Sequence, residues 1–72
     1  MQVLRVLDSS GDSVLEFDAA DSTASATQAA RELFERLTSG HYAAFDGAGG
    51  GKIASFNQVG DETLLVPKLV GG

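Results

Sequence analysis

"ETLLVPKLVGG", Glu62 to Gly72, closes the chain, and its reading decides the fold. An almost continuous apolar run, Thr63–Pro67, reads as a strand buried between two neighbours rather than an edge strand with a wet face. Pro67 stops it, because proline has no N–H to give to a ladder. Two glycines then end the chain, where most termini run into polar residues with nothing to hold them. A central strand this late in a short chain needs the earlier elements arranged on both sides of it.

Those elements can be read outward from the last strand. "MQVLRVLD" is rich in aliphatic residues and predicts a first strand. "DSSGD", Asp8 to Asp12, has turn chemistry, with Gly11 free to take positive φ. "SVLEFD" alternates, setting Leu15 and Phe17 on one face and Glu16 and Asp18 on the other. Strand, short turn and strand make a hairpin.

A helix is predicted from about Ser22 to Ser39. Asp21, Ser22 and Ser25 offer N-cap oxygens, and Ser25 with Gln28 fits a capping box. Ala26, Ala30, Leu33 and Leu37 recur at helical spacing, widened by Ala29 and Phe34. Arg31 and Glu35 can pair across one turn. Gly40 stands where a left-handed C′ residue belongs. "HYAAF" then predicts a short strand, "DGAGGG" a loop, "KIASF" another strand and "NQVGDE" a turn. Leu4, Val6, Phe17, Leu64 and Val66 are the expected core partners of the helix stripe.

A lone hairpin cannot bury its apolar face, and neither can this helix. The economical arrangement is an α+β fold, with the helix packed across one face of a single mixed sheet. The first and last strands then lie side by side in parallel at its centre. That order is a β-grasp.

Composition narrows the function. The chain has 72 residues, no cysteine and one histidine, with ten acids against five bases and a net charge of −5. Without cysteine there is no disulfide, thiolate nucleophile or thiolate metal site, which suits a cytoplasmic protein. Catalytic triads and zinc centres have almost nothing to work with, so neither an enzyme nor a metal site is expected. The scattered bases Arg5, Arg31, Arg36, Lys52 and Lys68 form no phosphate-tracking stripe, so nucleic acid is not an expected partner. No apolar run approaches the ~20 residues that span a bilayer, and the first residues lack a signal-peptide pattern.

Weaker motifs fall away on inspection. "GAGGGK", Gly47 to Lys52, has Asp46 where a phosphate loop needs glycine and Ile53 where it needs Ser or Thr. His41 follows the end of the helix, where an imidazolium suits the helix dipole. The acids of "DSSGD" lack the loop length and the closing glutamate of a calcium site.

"GDETLLVPKLVGG", Gly60 to Gly72, resembles the C-terminus of the small sulfur carriers of molybdopterin and thiamin synthesis. Those carriers combine an acidic turn, an apolar strand, one or two prolines and a final Gly-Gly. The opening "MQV" and the strand–strand–helix–strand order are similar to ubiquitin and its bacterial ubiquitin-like counterparts. The topology spans the whole chain; the specific motif covers only its end. Two departures stand out. Lys68 occupies the place of a second proline, and of the lysines ubiquitin uses for chain building only Lys52 and Lys68 remain.

The resemblance implies a ubiquitin-like domain over residues 1–68 and a Gly-Gly tail over residues 69–72. It implies that an activating enzyme adenylates the carboxylate of Gly72 with ATP, and that Gly71 lets the tail enter a narrow crevice. Pro67, Leu69 and Val70 would pack against the enzyme groove. A conjugating enzyme, a processing metallopeptidase and target lysines complete the implied partners of a protein modifier, which carries no cofactor of its own. The alternatives are a sulfur carrier ending in a thiocarboxylate, and a β-grasp assembly module whose tail has no chemistry.

Overall fold

The computed structural model describes Met1–Asp8 and Gly11–Lys68. Five strands and one α-helix follow in the order β1 (Gln2–Asp8), β2 (Gly11–Phe17), α1 (Ser25–Thr38), β3 (Tyr42–Asp46), β4 (Lys52–Ile53) and β5 (Glu62–Pro67), with a 3₁₀ turn at Phe56–Gln58 before the last strand. The strands form one mixed sheet in the order β2-β1-β5-β3-β4. β1 and β5 run parallel with Val3 opposite Glu62 and Val6 opposite Leu65; every other pair is antiparallel. The last strand is therefore central, as its apolar run predicts. The structure is α+β, one helix laid on a five-stranded mixed sheet.

The hairpin forms as its residues dictate. Asp8 pairs with Gly11 and Leu4 with Leu15. Gly11 has φ +129°, a region that side chains other than hydrogen rarely enter. Leu4, Val6 and Phe17 are buried on the helix side, while Glu16 is exposed on the other.

β5 corrects the expected core by one residue. Thr63 and Leu65 are fully buried, whereas Leu64 and Val66 are half-buried on the face away from the helix. A continuous apolar run carries no phase, and a slip of one residue exchanges the two faces. The pairings of Leu4 with Thr63 and of Ala44 with Leu65 set the phase here.

The helix is shorter than predicted and turned about its axis. It starts at Ser25 with Ala24 as N-cap, and no side chain caps it. Asp18 to Ala24 are used in turns: the Asp21 N–H donates to Asp18 O at 3.0 Å, and the Thr23 N–H to Asp21 Oδ1 at 3.1 Å. Thr27, Ala30 and Phe34 are the buried positions; Leu33 and Leu37 are half-buried, and Ala26 and Ala29 are exposed. The buried Thr27 hydroxyl donates to Asp18 O at 2.7 Å, pinning the first turn to the chain leaving β2. At the other end Ser39 remains right-handed, and Gly40 donates its N–H to Leu37 O at 3.1 Å without entering the left-handed region.

The segment after β3 departs furthest from expectation. "KIASF" gives only the two-residue strand Lys52–Ile53, and Phe56 sits on the 3₁₀ turn instead. Its ring stands 5.4 Å from that of Phe17 and 5.7 Å from that of Phe34, edge-on to the latter. Arg31 lies over its outer face at 5.7 Å. Phe56 thus closes the core between sheet and helix, with aromatic geometry that adds to its area burial.

Candidate functional site

The expected reactive end begins where β5 leaves the sheet. Pro67 is exposed and pairs across from Tyr42. Pairing with β1 ends at Leu65, while pairing with β3 runs on to Pro67. The backbone explains this division. The Lys68 N–H donates to His41 O at 2.6 Å and the Gly47 N–H to Glu62 O at 2.9 Å, so Glu62, Leu64, Val66 and Lys68 direct their backbone groups at β3. Pro67 therefore directs its nitrogen at β1, where its missing N–H closes that ladder. Leu69, Val70, Gly71 and Gly72, the other expected site residues, lie outside the described residues.

The sheet face away from the helix is the second feature. Register places Val14, Arg5, Leu64, Phe45 and Lys52 in one row across all five strands. Val14 is 52% exposed, and Leu64, Val66 and Phe45 are half-buried. Sequence alone could not choose these residues, because the choice depends on the phase of β5. Arg5 crosses the face, donating from Nη1 to Asp12 at 2.9 Å and from Nε to Glu62 at 3.3 Å. The bond to Asp12, then that to Glu62, raises the guanidinium above its ordinary value, so it stays charged throughout the working pH range. Both pairs are open to solvent, where screening and side-chain entropy leave an ion pair little net effect on stability.

The glycine-rich loop is a β3–β4 turn. The Asp46 N–H donates to Gly51 O at 2.8 Å, the Gly50 N–H returns to Asp46 O at 2.7 Å, and Asp46 Oδ1 accepts from the Ala48 N–H at 3.1 Å. Gly50 takes φ +75°. A carboxylate seated on the loop's own amide opposes phosphate there.

Among the described residues no three acidic, histidine or cysteine side chains are grouped to hold a metal. No helix among them is long and apolar enough to cross a membrane. A hollow of about 250 Å³ lies at the β3–β4 edge, bordered by Thr38 at the end of the helix.

Comparison with protein-family models, with curated proteins and with solved structures finds no match to this chain.

Proposed function

We propose that the chain is a ubiquitin-like β-grasp protein modifier, joined to target amines through the carboxylate of Gly72. The observation that carries this reading is the place of β5: central, parallel to β1, and ending at an exposed Pro67 and Lys68 on the sheet rim. A central strand is held by neighbours on both sides along most of its length, which makes β5 a rigid base for an enzyme to grip. The half-buried Leu64, Val66 and Phe45 offer that enzyme an apolar face on the same sheet.

In this reading the partners supply the catalysis. The Gly72 carboxylate attacks the α-phosphorus of ATP on the activating enzyme, releasing pyrophosphate and forming an acyl adenylate. The acyl group passes to a thiolate with loss of AMP, and then to a target lysine amine with loss of the thiol. Pro67, Leu69 and Val70 would pack in the groove and offset the ordering cost of the tail, roughly 1–2 kcal/mol per residue.

Mass spectrometry of protein from its native host tests the proposal. A glycine-linked isopeptide on a lysine of another protein is the expected product, lost on deletion of Gly72 with the melting temperature unchanged. A terminal oxygen exchanged for sulfur would make it a sulfur carrier instead. A free Gly72 carboxylate under all conditions would leave an assembly module.

A further inference from the structure

We propose that the edge of β3 at Tyr42 accepts an added strand from an extended peptide bearing acidic side chains. Backbone direction is the first ground. His41 O accepts from Lys68 N–H and Gly47 N–H donates to Glu62 O, so His41, Ala43, Phe45 and Gly47 direct their backbone groups at β5. Asp46 donates instead to Gly51 O, so Tyr42, Ala44 and Asp46 direct theirs at β4. β4 covers only Ala44 and Phe45. Beyond Ile53 the chain leaves the ladder: the Ser55 N–H, which continued pairing would set opposite Tyr42, turns with that of Ala54 to Gln58 Oε1, at 3.2 and 2.8 Å, and is lost to β3. The N–H and C=O of Tyr42 are thereby left facing outward, a vacant ladder position at a sheet edge.

The space beside this position fits a peptide. The hollow of about 250 Å³ is lined there by Tyr42, Ala43, Ala54, Thr38 and the two lysines. Ala43 and Ala54 keep the walls low enough for a backbone to approach. Charge then selects the occupant. Lys52 and Lys68 are the only lysines of a chain with net charge −5. Neither makes an ion pair or a side-chain hydrogen bond among the described residues. A small anion can pair with an ammonium group but cannot continue a ladder at Tyr42, which presents a backbone donor and a backbone acceptor together. A strand offers both a donor and an acceptor, and its alternate side chains bring the carboxylates. The proposal goes beyond the conjugation reading and needs no reaction at Gly72.

The test is an NMR titration of the full chain with the capped peptide Val-Asp-Val-Asp-Val. The same peptide with lysine for aspartate, and sodium phosphate at matched ionic strength, serve as controls. The expected result is a shift and slowed hydrogen exchange at the Tyr42 amide with the acidic peptide alone. Lys52→Glu with Lys68→Glu should weaken binding by about tenfold or more. Ala54→Trp, at an exposed position, should fill the hollow and abolish binding with the melting temperature kept. Equal binding of the lysine peptide, an unmoved Tyr42 amide, or the same shifts with phosphate overturns the proposal. So does a dimer in sedimentation experiments that protects Tyr42 without peptide.

Discussion

Ser25 and Ser55 each stand three residues before a glutamine, and each lies at the start of a helical turn. Only the second pair closes a capping box. Ser55 caps the turn while Gln58 reaches back to two backbone N–H groups, whereas Ser25 is already inside the helix and caps nothing. The difference lies in what each site has left unsatisfied. β4 ends at Ile53, so Ala54 and Ser55 have N–H groups without a ladder, and the nearby glutamine takes them. At the α-helix, the chain from Asp18 to Ala24 forms its own turns, and Thr27 anchors the first turn from inside. A capping pattern is realised where orphan donors have no other partner, and it stays silent where tertiary bonds arrive first.

The strongest way to break this comparison is at Phe56, the residue the second box holds in place. Phe56→Ala should cost about 3–5 kcal/mol, a large part of the stability of so small a domain. Leu33→Ala, at a half-buried position, should cost only about 1–2 kcal/mol. Urea denaturation measures both. A Phe56→Ala midpoint close to wild type would show that the 3₁₀ turn is a surface ornament and not part of the core.

The first turn of the helix has its own anchor, and a second buried threonine calibrates it. Thr27 and Thr63 are both almost fully buried, but only Thr27 has a partner; Thr63 Oγ1 has none among the described residues. Thr27→Val should lose about 1 kcal/mol with its hydrogen bond. Thr63→Val should be neutral or stabilising by up to about 1–3 kcal/mol, since it removes a desolvated hydroxyl. Equal losses in the two variants would mean that shape alone matters at both sites, and that Thr27 does not anchor the helix.

These residues also mark what the sequence could carry. Strong alternation made β2 legible, and the apolar run Thr63–Pro67 correctly predicted a central strand beside β1. The same run could not say which of its residues face the helix, because every position but Thr63 was apolar, and Thr63 faces inward. Ile53 and Phe56 stand three apart, a helical spacing that conflicts with the strand expected there; that conflict was the available sign of the 3₁₀ turn. The helix stripe failed at Ala26 and Ala29 because alanine suits a wet helix face as well as a dry one. Of the expected site residues, Pro67 alone lies among those described, and no sequence pattern marked the vacant ladder position at Tyr42. It arises from where β4 stops.

The two glutamines sharpen the comparison at smaller scale. Gln58→Ala should cost about 1 kcal/mol, because it releases two backbone N–H groups together. Gln28→Ala, whose side chain makes only a long 3.5 Å contact with Thr23 O, should stay within about 0.5 kcal/mol of wild type. Thermal denaturation of the two variants side by side is sufficient. Equal losses would erase the distinction between a working box and a silent one.

The smallest effect separates the segments by pH. Asp21 organises the approach to α1: it accepts the Thr23 hydroxyl at 2.8 Å and the Thr23 N–H at 3.1 Å. The hydroxyl bond, then the backbone bonds of Thr23 and Ala24, hold its carboxyl below its ordinary value, against a smaller opposing effect of burial. A depressed folded-state value means that the unfolded chain binds the proton more tightly. The contribution is therefore fully present above the ordinary carboxylate value of about 4, and is lost as pH falls through the lower folded-state value. The box at Ser55 and Gln58 contains no titratable group and has no such window. Asp21→Asn should accordingly flatten the acid limb of the stability–pH curve slightly, while Gln58→Ala lowers the whole curve without changing its slope. Denaturant midpoints measured from pH 2 to pH 7 would show both. An acid limb unchanged by Asp21→Asn would show that the turn at Asp21 forms without its carboxylate, and that Thr27 alone fixes where the helix begins.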